Sequence, residues 1–245
     1  MIRLQGVTKS LGQKPVLRGV NLDVPRGCLY GLIGPGASGK SVLLKVIAGL
    51  IRPDSGAVSV DGQDLARMDE PSVQEFRKCF GMLFQNNALF DYMSVAENIA
   101  FPLRQLTQLS EADVQARVNE RLDRVALKGF GHRFPAALSG GQKKRVGVAR
   151  ATVTQSAILL YDEPAAGLDP VTSQRIFNLL RSEQQATAAT VVMVSSDLDR
   201  LLSVTDRVGM VHNGKMLFQG TTAEALASTE PFVRQFVHGE VEGPL

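Results

Sequence analysis

A glycine-rich loop between a buried strand and a helix is the sequence feature that most constrains the fold of this chain. The continuous apolar run Leu29–Ile33 is typical of a strand buried on both faces, and it leads straight into the loop. The loop fits the pattern GxxxxGK(S/T), with the residues Gly34, Pro35, Gly36, Ala37, Ser38, Gly39, Lys40 and Ser41. A helix predicted over residues 41–50 completes a strand–loop–helix unit. The alternative is a plain glycine-rich turn.

Each part of this loop suits the binding of phosphate. The glycines allow successive backbone N–H groups to converge on phosphate oxygens, and the helix N-terminus adds positive potential. Lys40 can reach the β- and γ-phosphates of a nucleotide, and the Ser41 hydroxyl can bind Mg²⁺. We therefore predict that the loop holds the phosphates of a nucleotide.

A second apolar strand ends in two acidic residues. The apolar run covers residues 158–161, and Asp162 and Glu163 follow it directly. In a nucleotide site, Asp162 would hold Mg²⁺ through water, and Glu163 would point at the γ-phosphate. The alternative is a strand end whose acids are simply solvated.

A third motif lies between the loop and the acidic strand end. It consists of Leu138, Ser139, Gly140, Gly141 and Gln142, and a helix is predicted over Gln142–Ala151. Backbone N–H groups at the start of this helix, together with the Ser139 hydroxyl, would form an anion site. The alternative, a serine-capped helix start, is locally sufficient but does not explain the two companion motifs.

This combination of motifs resembles the ATP-binding cassette (ABC) ATPases, and the resemblance extends from Ile2 to about Thr222. It implies an α/β fold: a RecA-like P-loop core with an N-terminal antiparallel β-subdomain and an inserted α-helical sub-domain. The expected boundaries are about 1–86 and 152–222 for the core, 87–151 for the helical sub-domain and 223–245 for a tail. The resemblance also implies a head-to-tail homodimer that encloses two ATP molecules, with the signature residues 138–142 acting on the partner's ATP.

The resemblance assigns roles to further residues. Gln85 occupies the Q-loop position, where a family glutamine contacts Mg²⁺ and the attacking water. Glu163 would polarise that water as the general base. Asp169 belongs to the D-loop and is expected near the dimer axis. ATP and Mg²⁺ are the implied cofactors.

Two positions depart from the family pattern. Ser196 stands where the family has the switch histidine, so hydrolysis is expected to be slow unless another group replaces it. Leu11 stands where many members stack an aromatic ring on adenine, and Val16 is a candidate for the other edge of the ring. His212 is interpreted as an ordinary strand residue rather than a substitute for the switch histidine.

The segment Met82–Arg104 resembles one subfamily, the MlaF-like ATPases. This likeness implies an MlaE-like permease, with an MlaB-like STAS-domain protein and an MlaD-like MCE protein as candidate further partners. The implied cargo is phospholipid moving between inner and outer membranes, with the ATPase on the cytoplasmic face of the inner membrane. Phe90, Tyr92 and Met93 are candidates for the groove that receives the permease, or else core residues. The alternatives are another ABC importer or exporter, and a regulatory ATP-binding subunit.

The composition excludes several classes of protein but does not identify the function. The net charge of +3, from 27 basic and 24 acidic residues, is too weak to indicate nucleic-acid binding. The cluster Lys143–Arg145 is interpreted as a solvated helix face. Cys28 and Cys79 form no metal or redox pattern. Since the longest apolar stretch, Val42–Ile51, is too short for a membrane span, we expect a soluble chain that docks onto a membrane partner.

Elsewhere the chain alternates strand and helix signals. The first thirty residues predict short antiparallel strands, and residues 93–151 carry helical signals, including a helix over Glu111–Leu127. Further strands are expected at 57–60, 79–84, 157–161 and 190–194, with a helix at 171–183. A hairpin joined by Asn213-Gly214 and two short helices complete the expected elements.

Overall fold

The computed structural model describes residues 1–245, apart from the side chain of Ala66. The chain forms two units, one from Met1–Arg77 together with Thr190–Leu245, and one from Lys78–Ala189. Strands and helices alternate in both, so the predicted α/β class is confirmed.

The first unit begins with an antiparallel sheet and the strand that precedes the glycine loop. Its elements up to Arg77 are β1 (Ile2–Leu11), β2 (Lys14–Val24), β3 (Leu29–Ile33), α1 (Lys40–Ile47), β4 (Ser55–Val60), β5 (Gln63–Asp64) and α2 (Glu70–Arg77). The sheet has the order β2-β1-β4-β5, and β1 pairs antiparallel with both β2 and β4. The predicted N-terminal antiparallel strands are confirmed, whereas α2 was not predicted.

The second unit is mostly helical. Its elements are β6 (Phe80–Leu83), α3 (Val95–Leu106), α4 (Glu111–Arg124), α5 (Gly140–Thr152), β7 (Ile158–Asp162) and α6 (Pro170–Thr187). Strands β6 and β7 pair in parallel. Helices α3 and α5 each begin with a reciprocal capping box, which satisfies N–H groups that a helix start leaves unpaired.

The last part of the chain returns to the first unit. Its elements are β8 (Thr190–Val194), α7 (Leu198–Val204), β9 (Arg207–His212), β10 (Lys215–Thr221), α8 (Thr222–Leu226) and α9 (Pro231–His238). Strand β3 pairs in parallel with β8 and with β9, and β10 pairs antiparallel with β9. Every residue of β3 is buried, as its unbroken apolar run predicts. Asn213 and Gly214 have φ values of 48° and 73°, which the predicted hairpin turn requires.

Candidate functional site

The glycine loop follows β3, and its last two residues, Lys40 and Ser41, begin α1. Gly34 has a φ of 135°, and a Cβ atom there would lie 2.0 Å from the backbone oxygen of Val211 on β9. A side chain is therefore excluded at the first loop position. Gly39 caps α1 in the left-handed region, with a φ of 106°. This backbone path turns the loop back toward the helix N-terminus, the arrangement that favours anion binding.

Lys40 lies within the loop that it is predicted to serve. Its ammonium donates to the backbone oxygens of Gly34 and Pro35, each at 2.7 Å, and to Ser38 Oγ at 3.2 Å. Ser41 follows it in the first turn of α1 and is half-buried. A cation, a hydroxyl and a helix N-terminus are thus brought together, as the motif predicts.

The two residues predicted to contact adenine, Val16 and Leu11, have different surroundings. Val16 lies beside the loop, because a Cβ atom at Gly39 would be 3.4 Å from Val16 Cγ1. Leu11 is the last residue of β1 and is 48% exposed. Contact of either side chain with adenine stays a prediction.

Of the two acidic residues at the end of β7, the first is buried. All five residues of β7 are buried, and Asp162 is 5% exposed. Glu163 comes directly after the strand, is half-buried and has a φ of 52°. A non-glycine residue in the left-handed region is uncommon and marks a position that its surroundings hold in place.

The signature motif forms the beginning of α5. Ser139 is the N-cap: its Oγ accepts from Gln142 N at 3.3 Å, and Ser139 N donates to Gln142 Oε1 at 2.9 Å. Ser139 and Gly140 are exposed, whereas Leu138 and Gly141 are buried. The helix begins at Gly140, so the predicted start at Gln142 was wrong, because the capping serine already directs the chain into the helix at the next residue.

Asp169, predicted for the D-loop, is the N-cap of α6. Its carboxylate accepts from Val171 N at 3.0 Å and Thr172 N at 2.9 Å. Hydrogen bonds from Thr172 and Val171 lower the pKa of Asp169 below its usual value. The carboxylate therefore stays charged at neutral pH while it fixes the start of α6.

The switch position lies at the end of β8. Ser196 is exposed and stands between β8 and Asp197, which caps α7 by accepting from Arg200 N at 3.4 Å. His212 is the last residue of β9, and its ring centroid lies 5.1 Å from that of Phe232 on α9. This packing agrees with the interpretation of His212 as an ordinary strand residue.

The basic cluster at 143–145 was wrongly interpreted as a solvated face. Lys144 is only 5% exposed, and its ammonium donates to the backbone oxygens of Gln85 at 2.6 Å and Glu163 at 3.0 Å. Burial lowers the pKa of Lys144, although the nearby charges of Glu163 and Asp162 oppose that effect. Arg145 is half-buried. Helical periodicity missed Lys144 because both of its partners are backbone atoms distant in sequence.

Helix α5 also holds the residues that follow Gln85. The side chain of Gln85 is exposed, while Asn87 and Ala88 adopt φ values of 60° and 49°. Arg150 donates to the backbone oxygen of Asn87 at 2.5 Å and to that of Ala88 at 2.7 Å. Gly147 permits this close packing, since a Cβ atom there would lie 2.6 Å from Leu83 Cδ1. One helix thus carries the signature and braces the Q-loop.

A buried asparagine organises the loop before α3. Asn98 Oδ1 accepts from Phe90 N at 2.9 Å, and its amide donates to the backbone oxygens of Phe90, Met93 and Ser94 at 3.0–3.1 Å. The side chain of Asn98 is 0% exposed. In the sequence, Asn98 is only one residue of the segment that resembles the MlaF-like ATPases, and no local pattern predicts its buried role.

Replacing Asn98 by alanine is expected to lower the free energy of unfolding by roughly 2–4 kcal/mol, because several buried backbone groups would lose their partners. Urea unfolding of the full chain measures the change. Asn119→Ala on the exposed side of α4 is the control and should change stability by less than about 0.5 kcal/mol. Equal effects of the two variants would contradict this role for Asn98.

An apolar groove of about 360 Å³ lies beside the Q-loop in the second unit. Its apolar lining includes Met82, Phe84, Ala88, Phe90, Phe101 and Pro102. Of the three residues predicted for such a groove, Phe90 lines it, with its ring 4.9 Å from that of Phe101. Tyr92 and Met93 do not line this groove, and contact of any of the three residues with a permease stays a prediction. Tyr92 is 75% exposed, because the loop held by Asn98 turns it toward solvent.

A sequence-family model described as ABC transporter matches residues 17–166. The chain belongs to the ABC transporter family. It is an ATP-hydrolysing cassette with a RecA-like P-loop core, an antiparallel β-subdomain and a helical sub-domain. In the described part of this ABC ATPase, no helix combines the length and the apolar character that crossing a membrane requires.

Relatives of this ABC ATPase include transport proteins with different named cargoes. It is 39% identical to the probable ribonucleotide transport ATP-binding protein mkl of Mycobacterium leprae, over 100% of this chain and 70% of that protein. It is 35% identical to the intermembrane phospholipid transport system ATP-binding protein MlaF of Haemophilus influenzae, over 100% of this chain and 93% of MlaF. The dimeric ATP-binding cassette MJ0796, solved in a post-hydrolysis state with ADP and Pi, matches with a TM-score of 0.84 at 30% identity, over 91% of this chain and 99% of that one.

Proposed function

We propose that this ABC ATPase drives the movement of phospholipid between two membranes through an MlaE-like permease at the cytoplasmic face of the inner membrane. Two copies would close head to tail around two ATP molecules, so that the signature of each copy binds the ATP of the other. An MlaB-like STAS-domain protein and an MlaD-like MCE protein are the further partners proposed. The 35% identity to MlaF along the whole chain supports this assignment.

The apolar groove is the observation that carries the proposal. Six of its lining residues belong to the segment Met82–Arg104 that resembles the MlaF-like ATPases, namely Met82, Phe84, Ala88, Phe90, Phe101 and Pro102. An exposed apolar groove of this kind is suited to the apolar face of a short helix from a partner protein. Arg150 lines the groove and also donates to the backbone oxygens of Asn87 and Ala88, which follow Gln85 in the Q-loop. A partner that binds in the groove can therefore change the position of Gln85.

The chemistry proposed for the site is attack of water on the γ-phosphate, which yields ADP and phosphate. The loop N–H groups and Lys40 would bind the phosphates and offset their negative charge. Ser41, Asp162 and Gln85 offer hydroxyl, carboxylate and amide oxygens, the donor types that Mg²⁺ prefers, and Mg²⁺ would enter with ATP. Glu163 would orient the water and take its proton.

Replacing Ser196 by histidine is expected to raise the ATP turnover of the assembled complex by up to about 10²-fold, because a histidine can restore a hydrogen bond to the γ-phosphate that serine is too short to make. Steady-state phosphate release measures the effect. Ser203→His on the exposed side of α7 is the control and should leave turnover unchanged. Lower activity of Ser196→His would mean that this site works with a rearranged geometry.

The similarity to mkl supports a second candidate, an ABC transporter for a different cargo such as a ribonucleotide. Both candidates share the ATPase chemistry and differ only in the permease. A regulatory subunit with impaired hydrolysis, suggested by Ser196, is a third candidate that the turnover measurement addresses directly.

Reconstitution distinguishes these candidates. The chain and the permease that co-purifies with it would be placed in vesicles that contain a fluorescent phospholipid. We expect ATP-dependent transfer of the lipid to acceptor membranes, and no transfer with Glu163→Gln. ATP-driven movement of a labelled ribonucleotide without lipid transfer would favour the second candidate. Recovery of ribosomes or DNA instead of a permease would contradict a transport role.

A matched pair of variants tests the groove itself. Phe90→Ser removes an aromatic ring from the groove lining and should abolish stimulation of ATP turnover by the permease. Tyr92→Ser, two residues away and outside the lining, should retain the stimulation. If both variants behave alike, the permease binds another surface.

A further inference from the structure

Lys144 joins two parts of the chain to which the motifs assign catalytic roles. It lies on α5, is 5% exposed, and contacts the backbone oxygen of Gln85 at 2.6 Å and that of Glu163 at 3.0 Å. A buried ammonium needs acceptors, and here the acceptors are the backbone oxygens of Gln85 in the Q-loop and of Glu163 at the end of β7. Lys143, its neighbour in sequence, is only half-buried.

The contact with Glu163 acts on a backbone that is uncommon for glutamate. With a φ of 52°, Glu163 adopts a left-handed conformation that persists only where surrounding groups stabilise it. Its backbone oxygen accepts from Lys144 Nζ and, at 3.3 Å, from Ala166 N. Since the carbonyl and the Cα–Cβ bond belong to the same residue, holding the carbonyl restricts the direction of the carboxylate side chain.

The contact with Gln85 acts on a loop with the same kind of backbone. Lys144 holds the oxygen of Gln85, while Arg150 holds those of Asn87 and Ala88, both left-handed. The Gln85 side chain itself is exposed and so is available to a ligand. Helix α5 thus fixes the backbone of the Q-loop through two cations, and only Lys144 also reaches Glu163.

We propose that Lys144 is a positioning residue for ATP hydrolysis, which orients Glu163 and Gln85 through their backbone oxygens. This inference rests on the roles proposed above for those two residues. In this role, Lys144 acts on the protein backbone and not on ATP. Its removal should therefore affect the chemical step rather than nucleotide binding.

The test compares Lys144→Met with Lys143→Met in the full chain. Methionine keeps much of the length and packing of lysine but has no ammonium. We expect Lys144→Met to lower kcat on the order of 10- to 100-fold, with KM for ATP and the affinity for a fluorescent ATP analogue changed by less than about twofold. Lys143→Met should match the unchanged protein. Lys144→Gln, whose amide can still donate to one of the oxygens, should retain more activity than Lys144→Met.

Circular dichroism at the assay temperature separates positioning from a loss of folded protein. If Lys144→Met is folded and has a normal kcat, or if its kcat and ATP affinity fall together, the proposal is wrong. If Lys144→Met does not fold, Lys144→Gln decides: a lower kcat per folded protein with unchanged ATP affinity supports positioning, and an unchanged kcat per folded protein contradicts it. Glu163→Gln, measured alongside, keeps the two hypotheses apart, because its full activity would overturn the role of Glu163 whatever Lys144 does.

Discussion

Replacing Glu163 by glutamine is expected to lower the ATP turnover of the full chain by about 10²–10⁴-fold, while ATP affinity stays within a factor of about two. Glutamine has almost the same size, so the half-buried position after β7 stays filled. An amide cannot take a proton from the attacking water, and general-base catalysis is lost. Phosphate release measures turnover, and the fluorescence of a labelled ATP analogue measures binding.

Glu120→Gln on the exposed side of α4 is the matched control for this variant and should hydrolyse ATP at the normal rate. With hydrolysis blocked, ATP should also keep Glu163→Gln in the closed dimer, which size-exclusion chromatography detects as a doubled mass. Turnover above a tenth of the normal rate would show that another group activates the water. A chain that stays monomeric with ATP would contradict the shared-site proposal.

Replacing Glu183 by glutamine is expected to lower the free energy of unfolding by about 3–5 kcal/mol. The side chains of Glu183 and Arg121 are 4% and 2% exposed, and they form an ion pair between α6 and α4. Arg124 Nε lies 3.3 Å from the other carboxylate oxygen of Glu183. The neutral amide would leave the Arg121 guanidinium buried without a counter-charge. An unpaired buried charge strongly destabilises the folded state. Urea unfolding measures the loss.

Two further variants sharpen this prediction. Glu120→Gln removes an exposed pair with Arg124, whose atoms are 4.0 Å apart, and should change stability by less than about 1 kcal/mol. The double variant Arg121→Met with Glu183→Leu replaces the pair by apolar groups and should recover most of the lost stability. If Glu183→Gln costs no more than Glu120→Gln, the buried pair contributes little.

Sequence patterns predict the strands of the core and the two short C-terminal helices α8 and α9, but they miss the short helices α2 and α7. The bounds of β3 and β8 agree with prediction residue for residue, because each is a mostly apolar, fully buried run that is followed directly by Gly34 or Ser195. Helix α2 was missed, since Val73 and Phe76 are its only buried residues among those described and one pair makes no recognisable stripe. Helix α7 is only seven residues long, too short for helical periodicity to be detected.

The motifs predict which residues gather at the phosphate loop and the signature, but not what holds them there. Arg121 lies three residues after Val118 on the apolar side of α4, so its position already indicated burial. Its partner Glu183 is 62 residues away, beyond the reach of local patterns. The partners of Lys144 lie 59 and 19 residues away and are backbone oxygens, for which side-chain identity carries no signal. Long-range polar contacts of this kind emerge only with the fold.

The capping box of α5 has a consequence for the cost of association. Ser139 and Gln142 fix each other's side chains by two hydrogen bonds, so little rotamer freedom remains for either to lose when a partner copy binds. Immobilising a flexible side chain at an interface typically costs about 0.5–1.5 kcal/mol. The side chains of Ser139 and Gln142 are already ordered in the single chain, so this cost does not arise for them on association. The Ser139 hydroxyl, which accepts from Gln142 N, still has its own hydrogen to donate to a phosphate oxygen. The strength of the closed dimer should therefore depend on the nucleotide and hardly at all on ordering the signature.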